Sequence, residues 1–133
     1  MSIRTGSTGR NYANLFENKC VSYIRNATNS WSAARSVCQS QGGDLVSIHS
    51  QAENDAYYDN MLDVATGKWI GLDGGSSTWS DGTNVDWTPL SSSCGAGTSV
   101  FMKPSMSNGL GEWDCDMSTD TKGSICQAPP ISC

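Results

Sequence analysis

Six cysteines, at positions 20, 38, 94, 115, 126 and 133, constrain this chain more than any other feature. Their number is even, they are spread over most of the length, and no two stand in a C-x-x-C pair. Zinc sites need thiolates at short spacing with further cysteine or histidine partners, and the single histidine, His49, supplies no such set. Widely separated cysteines in even number point instead to disulfides, and so to a secreted, extracellular protein. Six cysteines admit about 15 pairings, and spacing alone does not choose among them. The sequon Asn26-Ala27-Thr28 makes Asn26 a glycosylation candidate and agrees with secretion.

A length of 133 residues suits one domain with its own hydrophobic core. No composition break, long linker or internal repeat argues for two. Residues 1–18 read as a flexible lead-in or an edge strand, and 19–133 as the domain. Residues 1–10 are polar and carry no apolar leader core, so a leader is expected to have been removed already. The formal charge is −5 and the basic residues are scattered, which leaves no footprint for nucleic acid or for an anionic membrane surface. No apolar run is long enough to insert in a membrane. Oligomeric state is not encoded in any pattern visible here.

Along the chain, Val21–Ile24 alternates as a strand does. Ser30 is placed to cap a helix from Trp31 to about Gln41, with Trp31, Ala34 and Cys38 on one face and Gly42-Gly43 to end it. Leu45–Ile48 reads as a short strand. Ser50 and Glu53 match a capping box opening a second helix, expected to turn Ala52, Ala56, Met61 and Leu62 inward and to stop near Gly67. Lys68–Leu72 reads as a buried strand. From Asp73 to about Ser99 the chain is mostly Gly, Ser, Thr, Asn and Asp, a loop long enough to imply function. Strands are expected near 100–102, 111–113 and 124–126. Helices first, then a loop, then strands indicates an α+β fold.

These residues resemble the C-type lectin-like family. Trp69-Ile70-Gly71-Leu72 is similar to its W-I-G-L signature. Gly43–Ile48 with the Ser50/Glu53 helix start resembles its first half. Trp79-Ser80-Asp81-Gly82 and Asp86-Trp87-Thr88-Pro89 look like the start of its long loop. Gly111–Cys115 and Ser124–Gln127 resemble its closing half. The resemblance spans roughly Cys20 to Gln127. It implies two helices on a twisted antiparallel sheet with a long loop region, stapled by Cys38–Cys126, Cys94–Cys115 and Cys20–Cys133. It also implies a binding module, not an enzyme, with a glycan or a protein as ligand.

Sugar-binding members of the family hold calcium with a Glu-Pro-Asn or Gln-Pro-Asp loop, a further Glu, and an Asn-Asp pair after the residue matched here by Trp113. Calcium takes six to eight oxygens, several of them carboxylates. Here Thr88-Pro89-Leu90 stands in place of the tripeptide, and only Asp114 separates Trp113 from Cys115. Ligand binding without the usual calcium bridge is therefore expected. Two alternatives are a rearranged calcium-dependent glycan site built from Glu112, Asp114 and Asp116, and a structural role in an extracellular matrix or surface coat. The acidic run including Asp120 reads more simply as a solvated loop. Gln127 falls where many relatives carry a glutamate of an auxiliary calcium site that also uses a residue like Glu53, although capping explains Glu53 better. Trp79 and Trp87, with Ser91, Ser92, Glu112 and Asp114, are the candidate ligand-binding residues of the loop face. For both tryptophans, packing under the loop is the expected role and sugar stacking the alternative. No nucleophile motif accompanies His49, which reads as a surface histidine.

Overall fold

The computed structural model describes residues 14–16, 18–61, 66–90, 94–104 and 111–132. The elements are β1 (Asn14–Phe16), β2 (Lys19–Asn29), α1 (Trp31–Ser40), β3 (Asp44–Leu45), α2 (Gln51–Asp59), β4 (Lys68–Asp73), β5 (Thr98–Met102), β6 (Trp113–Met117) and β7 (Lys122–Ala128), followed by a 3-10 turn at Pro130–Ser132. Among the described residues seven strands form one sheet in the order β1-β2-β7-β4-β5-β6, with β3 also pairing to β7. Every pairing is antiparallel except that of β4 with β7. The sheet is thus mixed, and its one parallel contact runs through the middle.

β4 sits between β7 and β5, and all of Lys68–Leu72 is buried. Successive strand side chains point to opposite faces. Trp69 accordingly packs with Ala34, Cys38 and Leu45 beneath α1, while Ile70 and Leu72 pack with Tyr57, Trp79, Val100 and Trp113 under the loop. The two faces are tied across β4 as well, since Trp31 Nε1 of α1 donates to Ile70 O at 2.8 Å.

Helix α1 begins where expected, Ser30 Oγ accepting from Ala33 N at 3.4 Å. It ends where Gly42 takes φ +91°, and Gly43 N donates back to Cys38 O at 3.0 Å. Helix α2 departs from its expected pattern in two ways. It stops at Asp59, well short of Gly67, and it buries Glu53, Asn54 and Tyr57 while Ala52 is exposed. A polar face turns inward because each head group finds partners there. Asn54 Nδ2 donates to Gly111 O and its Oδ1 accepts from Trp113 Nε1, both at 2.8 Å. Met61 is buried just beyond the helix, and Leu62 lies outside the described residues.

Cys38 of α1 is bonded to Cys126 of β7, and Cys94 at the end of the long loop to Cys115 of β6. In the chain-entropy view, the first closes 88 positions and contributes about 4–5 kcal/mol, the second closes 21 and contributes about 3. Cys20 is also disulfide-bonded, whereas Cys133 lies outside the described residues. Asn14–Phe16, within the segment read as a lead-in, pairs with Lys19–Val21 through a turn in which Asn18 takes φ +67°. Asn26 is exposed, in the part of β2 where its register with β7 shifts.

Candidate functional site

The long loop leaves the sheet after β4 and is pinned along its first half by main-chain bonds. Gly74 N donates to Thr98 O and Ser80 N to Gly71 O, each at 2.7 Å, and Val85 N donates to Ser77 O at 3.0 Å. Its interior is held by tryptophans. Trp79 and Trp87 each meet the Trp113 ring edge-on, with centroids 5.5 Å apart. Trp79 is 2% exposed, so its ring has no face to offer a sugar, and it belongs to the core. Trp87 is half-buried against that core. Ser91 and Ser92 lie outside the described residues.

A polar network beside these rings joins four segments of the chain. Asp81 Oδ2 accepts from Ser47 Oγ at 2.5 Å and from Gln127 Nε2 at 3.0 Å, and its Oδ1 accepts from Thr83 N and Oγ1 at 2.9 and 2.6 Å. Partial burial pushes the Asp81 carboxyl up, but these donors outweigh it and hold the group down at about 2. His49 bridges from the other side, with Nδ1 2.7 Å from Asp86 Oδ1 and Nε2 3.1 Å from Thr83 Oγ1. The hydrogen bond to His49 lowers the Asp86 carboxyl as well.

Thr83, His49 and Asp86 thus stand in the order of nucleophile, base and orienting acid. The chemistry stops there, because a hydroxyl has one proton and Thr83 gives it to Asp81 over the shorter contact. With its proton turned away from the imidazole, Thr83 is not activated by it. The arrangement fastens the loop to the residues between β3 and α2.

Residues 27–128 match the model of the lectin C-type domain. The chain belongs to the C-type lectin family. It is 36% identical over 118 residues to the human low affinity immunoglobulin epsilon Fc receptor, a match covering 76% of this chain and 36% of that protein. The chain therefore spans about a third of that relative's length. Among solved structures, a calcium-independent type II antifreeze protein superposes with a TM-score of 0.72 at 26% identity, covering 92% of this chain and 95% of the other. The carbohydrate-recognition domain of cow CD23, solved in the presence of a GlcNAc2Man3 oligosaccharide, gives 0.68 at 26% identity over 92% and 96%.

C-type lectin domains imply calcium, and two places in this chain test the fit. At the first, Glu112 precedes β6 and Asp114 and Asp116 lie on it, so strand alternation spaces the three carboxylates about 6.8 Å apart along one face of an edge strand. Calcium ligands must converge at about 2.3–2.6 Å from one point. Asp116 Oδ2 instead accepts from Lys122 Nζ at 2.9 Å, and Asp114 has Lys103 Nζ at 3.9 Å. Glu112 is exposed. Lys122 holds the Asp116 carboxyl below its usual range, while Asp120, sharing a hydrogen bond with Asp116, is pushed up. Among the described residues no three His, Cys, Asp or Glu side chains are grouped to hold a metal. The rearranged site proposed from Glu112, Asp114 and Asp116 is not assembled, because a strand separates what a cation must gather.

The second place is the auxiliary position implied by Glu53 and Gln127. There the ammonium of Lys19 donates to Ser47 O at 2.7 Å, Ser47 Oγ at 3.2 Å and Glu53 Oε2 at 2.7 Å. Glu53 also accepts from Tyr57 OH and, through Oε1, from His49 N. A positive charge already sits among these oxygens, and a divalent cation does not fit beside it. Lys19, Ser47 and Asp81 are the site residues that sequence reasoning passed over. The only local signal was the Trp79-Ser80-Asp81-Gly82 motif; beyond the nearby Thr83, the partners of Asp81 are Ser47 and Gln127, far away in the chain.

Proposed function

We propose that the chain is a secreted, extracellular binding module that recognises a glycan or protein ligand through its long-loop face without a calcium bridge. The observation that carries this reading is that Asp81, Asp114 and Asp116, on and beside that face, already have partners within the chain. Asp114 and Asp116 face lysines, Asp81 is saturated by neutral donors, and Thr88-Pro89-Leu90 brings no carboxylate to the loop. Disulfides support an oxidising compartment, and no helix among the described residues is long and apolar enough to cross a membrane. A calcium-independent relative and one solved with an oligosaccharide lend support to each half of the reading. The diverted proton of Thr83 supports binding in preference to catalysis.

Thermal melting in calcium and in chelator, followed by a glycan array under both conditions, tests it. The expected melt is insensitive to calcium. Saturation at a hundredfold excess over the dissociation constant would add about 2.7 kcal/mol of stability, and such a rise would overturn the reading. A silent array would assign the face to a protein ligand.

A further inference from the structure

Under the long loop lies a pocket of about 300 Å³, at the small end of ligand-binding cavities. Its inner wall is Leu72, Val100 and Cys94, which is bonded to Cys115, and its outer wall is Val85 and Leu90 of the loop. Leu72, Cys94 and Val100 are buried, whereas Val85 and Leu90 are half-buried and form the lips. Among the described residues, the polar groups that line the pocket come from Asp73, Ser76, Thr88 and the glycine backbone between them.

The rim has a definite polarity. Asp73 Oδ1 accepts from Gly74 N and Ser99 Oγ, each at 3.0 Å, so the carboxylate is oriented by two donors. Its Oδ2 has no partner among the described residues. Thr88 Oγ1 accepts from Leu90 N at 3.0 Å, which leaves its own proton to donate. Ser76 is spent locally, giving its proton to Thr78 O at 2.9 Å. The complement of this rim is a cationic donor, and the complement of the walls is an aliphatic body. A sugar fits poorly, because its hydroxyls would be dehydrated against Leu, Val and Cys side chains that cannot replace their hydrogen bonds. A carboxylate ligand would meet Asp73 in a protein of charge −5.

We propose that this pocket binds a small amphipathic amine, its alkyl portion between Leu72, Val85, Leu90 and Val100 and its ammonium on Asp73. This site is separate from the glycan or protein recognition proposed above and does not depend on it. A cavity at the small end of the range holds only a small body, so affinity for simple amines will be modest.

The test is a titration of methyl-labelled protein with n-hexylammonium, n-hexanol and n-hexanoate, followed by NMR. Saturable shifts are expected at the methyls of Leu72, Val85, Leu90 and Val100. The ammonium should bind roughly five- to tenfold tighter than the alcohol, reflecting a charged over a neutral hydrogen bond, and the hexanoate weakest. Asp73→Asn keeps an oxygen for both orienting donors and removes the charge, so amine and alcohol should then bind equally. Leu90→Trp, at the lip, should abolish all three titrations with the melting temperature kept near wild type. No saturable shift for the amine would overturn the proposal. So would equal affinities for amine and alcohol in the wild type, or an amine preference that survives Asp73→Asn.

Discussion

Lys19 Nζ and Glu53 Oε2 lie 2.7 Å apart and join the first residue of β2 to the first turn of α2 across 34 positions of sequence. The carboxylate side chain is only 5% exposed, while the lysine remains about a fifth exposed along its stem. An intramolecular ammonium thus satisfies a buried acid that would otherwise need an external cation. The fold carries this counter-charge within its own sequence.

Removing that charge should be costly. Lys19→Met keeps the stem but leaves Glu53 buried against Ser47 O and the Tyr57 hydroxyl. A loss of about 2–4 kcal/mol is expected in urea denaturation, a little under the roughly 3–5 for a fully buried pair because Lys19 is partly exposed. The double variant Lys19→Met/Glu53→Gln should recover more than half of it. Equal losses in Lys19→Met and the double variant would show that the unpaired Glu53 charge carries no penalty, and would overturn this account.

Asp81 sets a limit on acid stability. Its folded carboxyl sits at about 2, below its unfolded value of roughly 3.9, so it stabilises the fold above the unfolded value. That contribution is lost as pH falls from roughly 4 through about 2. Asp81 is more than a third exposed, and screening reduces its worth to about 1 kcal/mol. Denaturation midpoints of wild type and Asp81→Asn should differ at pH 6 and converge near pH 2.

Gly111 has no room for a side chain. It takes φ +77°, and a Cβ there would stand 2.8 Å from Asn54 Nδ2, which donates to the same residue's carbonyl. Gly111→Ala should cost about 2 kcal/mol from the backbone conformation and the displaced amide together. Because Asn54 also holds the Trp113 indole, the near-ultraviolet signal of the Trp79–Trp113–Trp87 stack should weaken in the same variant.

Cys94–Cys115 should matter to the loop more than to the sheet. Replacing both with alanine is expected to remove about 3 kcal/mol, and limited proteolysis should cut first within the long loop. First cuts in β2 or β7 would show that the bridge supports the whole fold.

Much of this architecture was legible because it is locally encoded. Ser30 and Ser50 cap where caps were expected, and the all-apolar stretch around Trp69–Leu72 is the central strand. Periodicity misplaced the inner face of α2, since an apolar-in rule cannot foresee that Glu53 and Asn54 find partners in Lys19, Gly111 and Trp113. The parallel β4–β7 contact was hidden for a related reason: turn signals report neighbours in sequence, and these strands are distant. At β6 the run Asp114-Cys115-Asp116 looked like a loop because aspartate is a poor strand former, although pairing with Val100 and its neighbours overrides that preference. The cation question turned on that point, since the same three acids in a loop are free to converge.

The register of β2 on β7 places Cys20 directly opposite Ala128. β2 therefore begins where β7 ends, with the β1 hairpin and the 3-10 turn at Pro130–Ser132 joined on at that same end. Asn14 lies opposite Val21, itself opposite Gln127, so β1 enters about two strand spacings, roughly 10 Å, from where β7 leaves. Neighbouring ends of this kind let a unit be inserted into an exposed turn of a host protein with its interior left as it is.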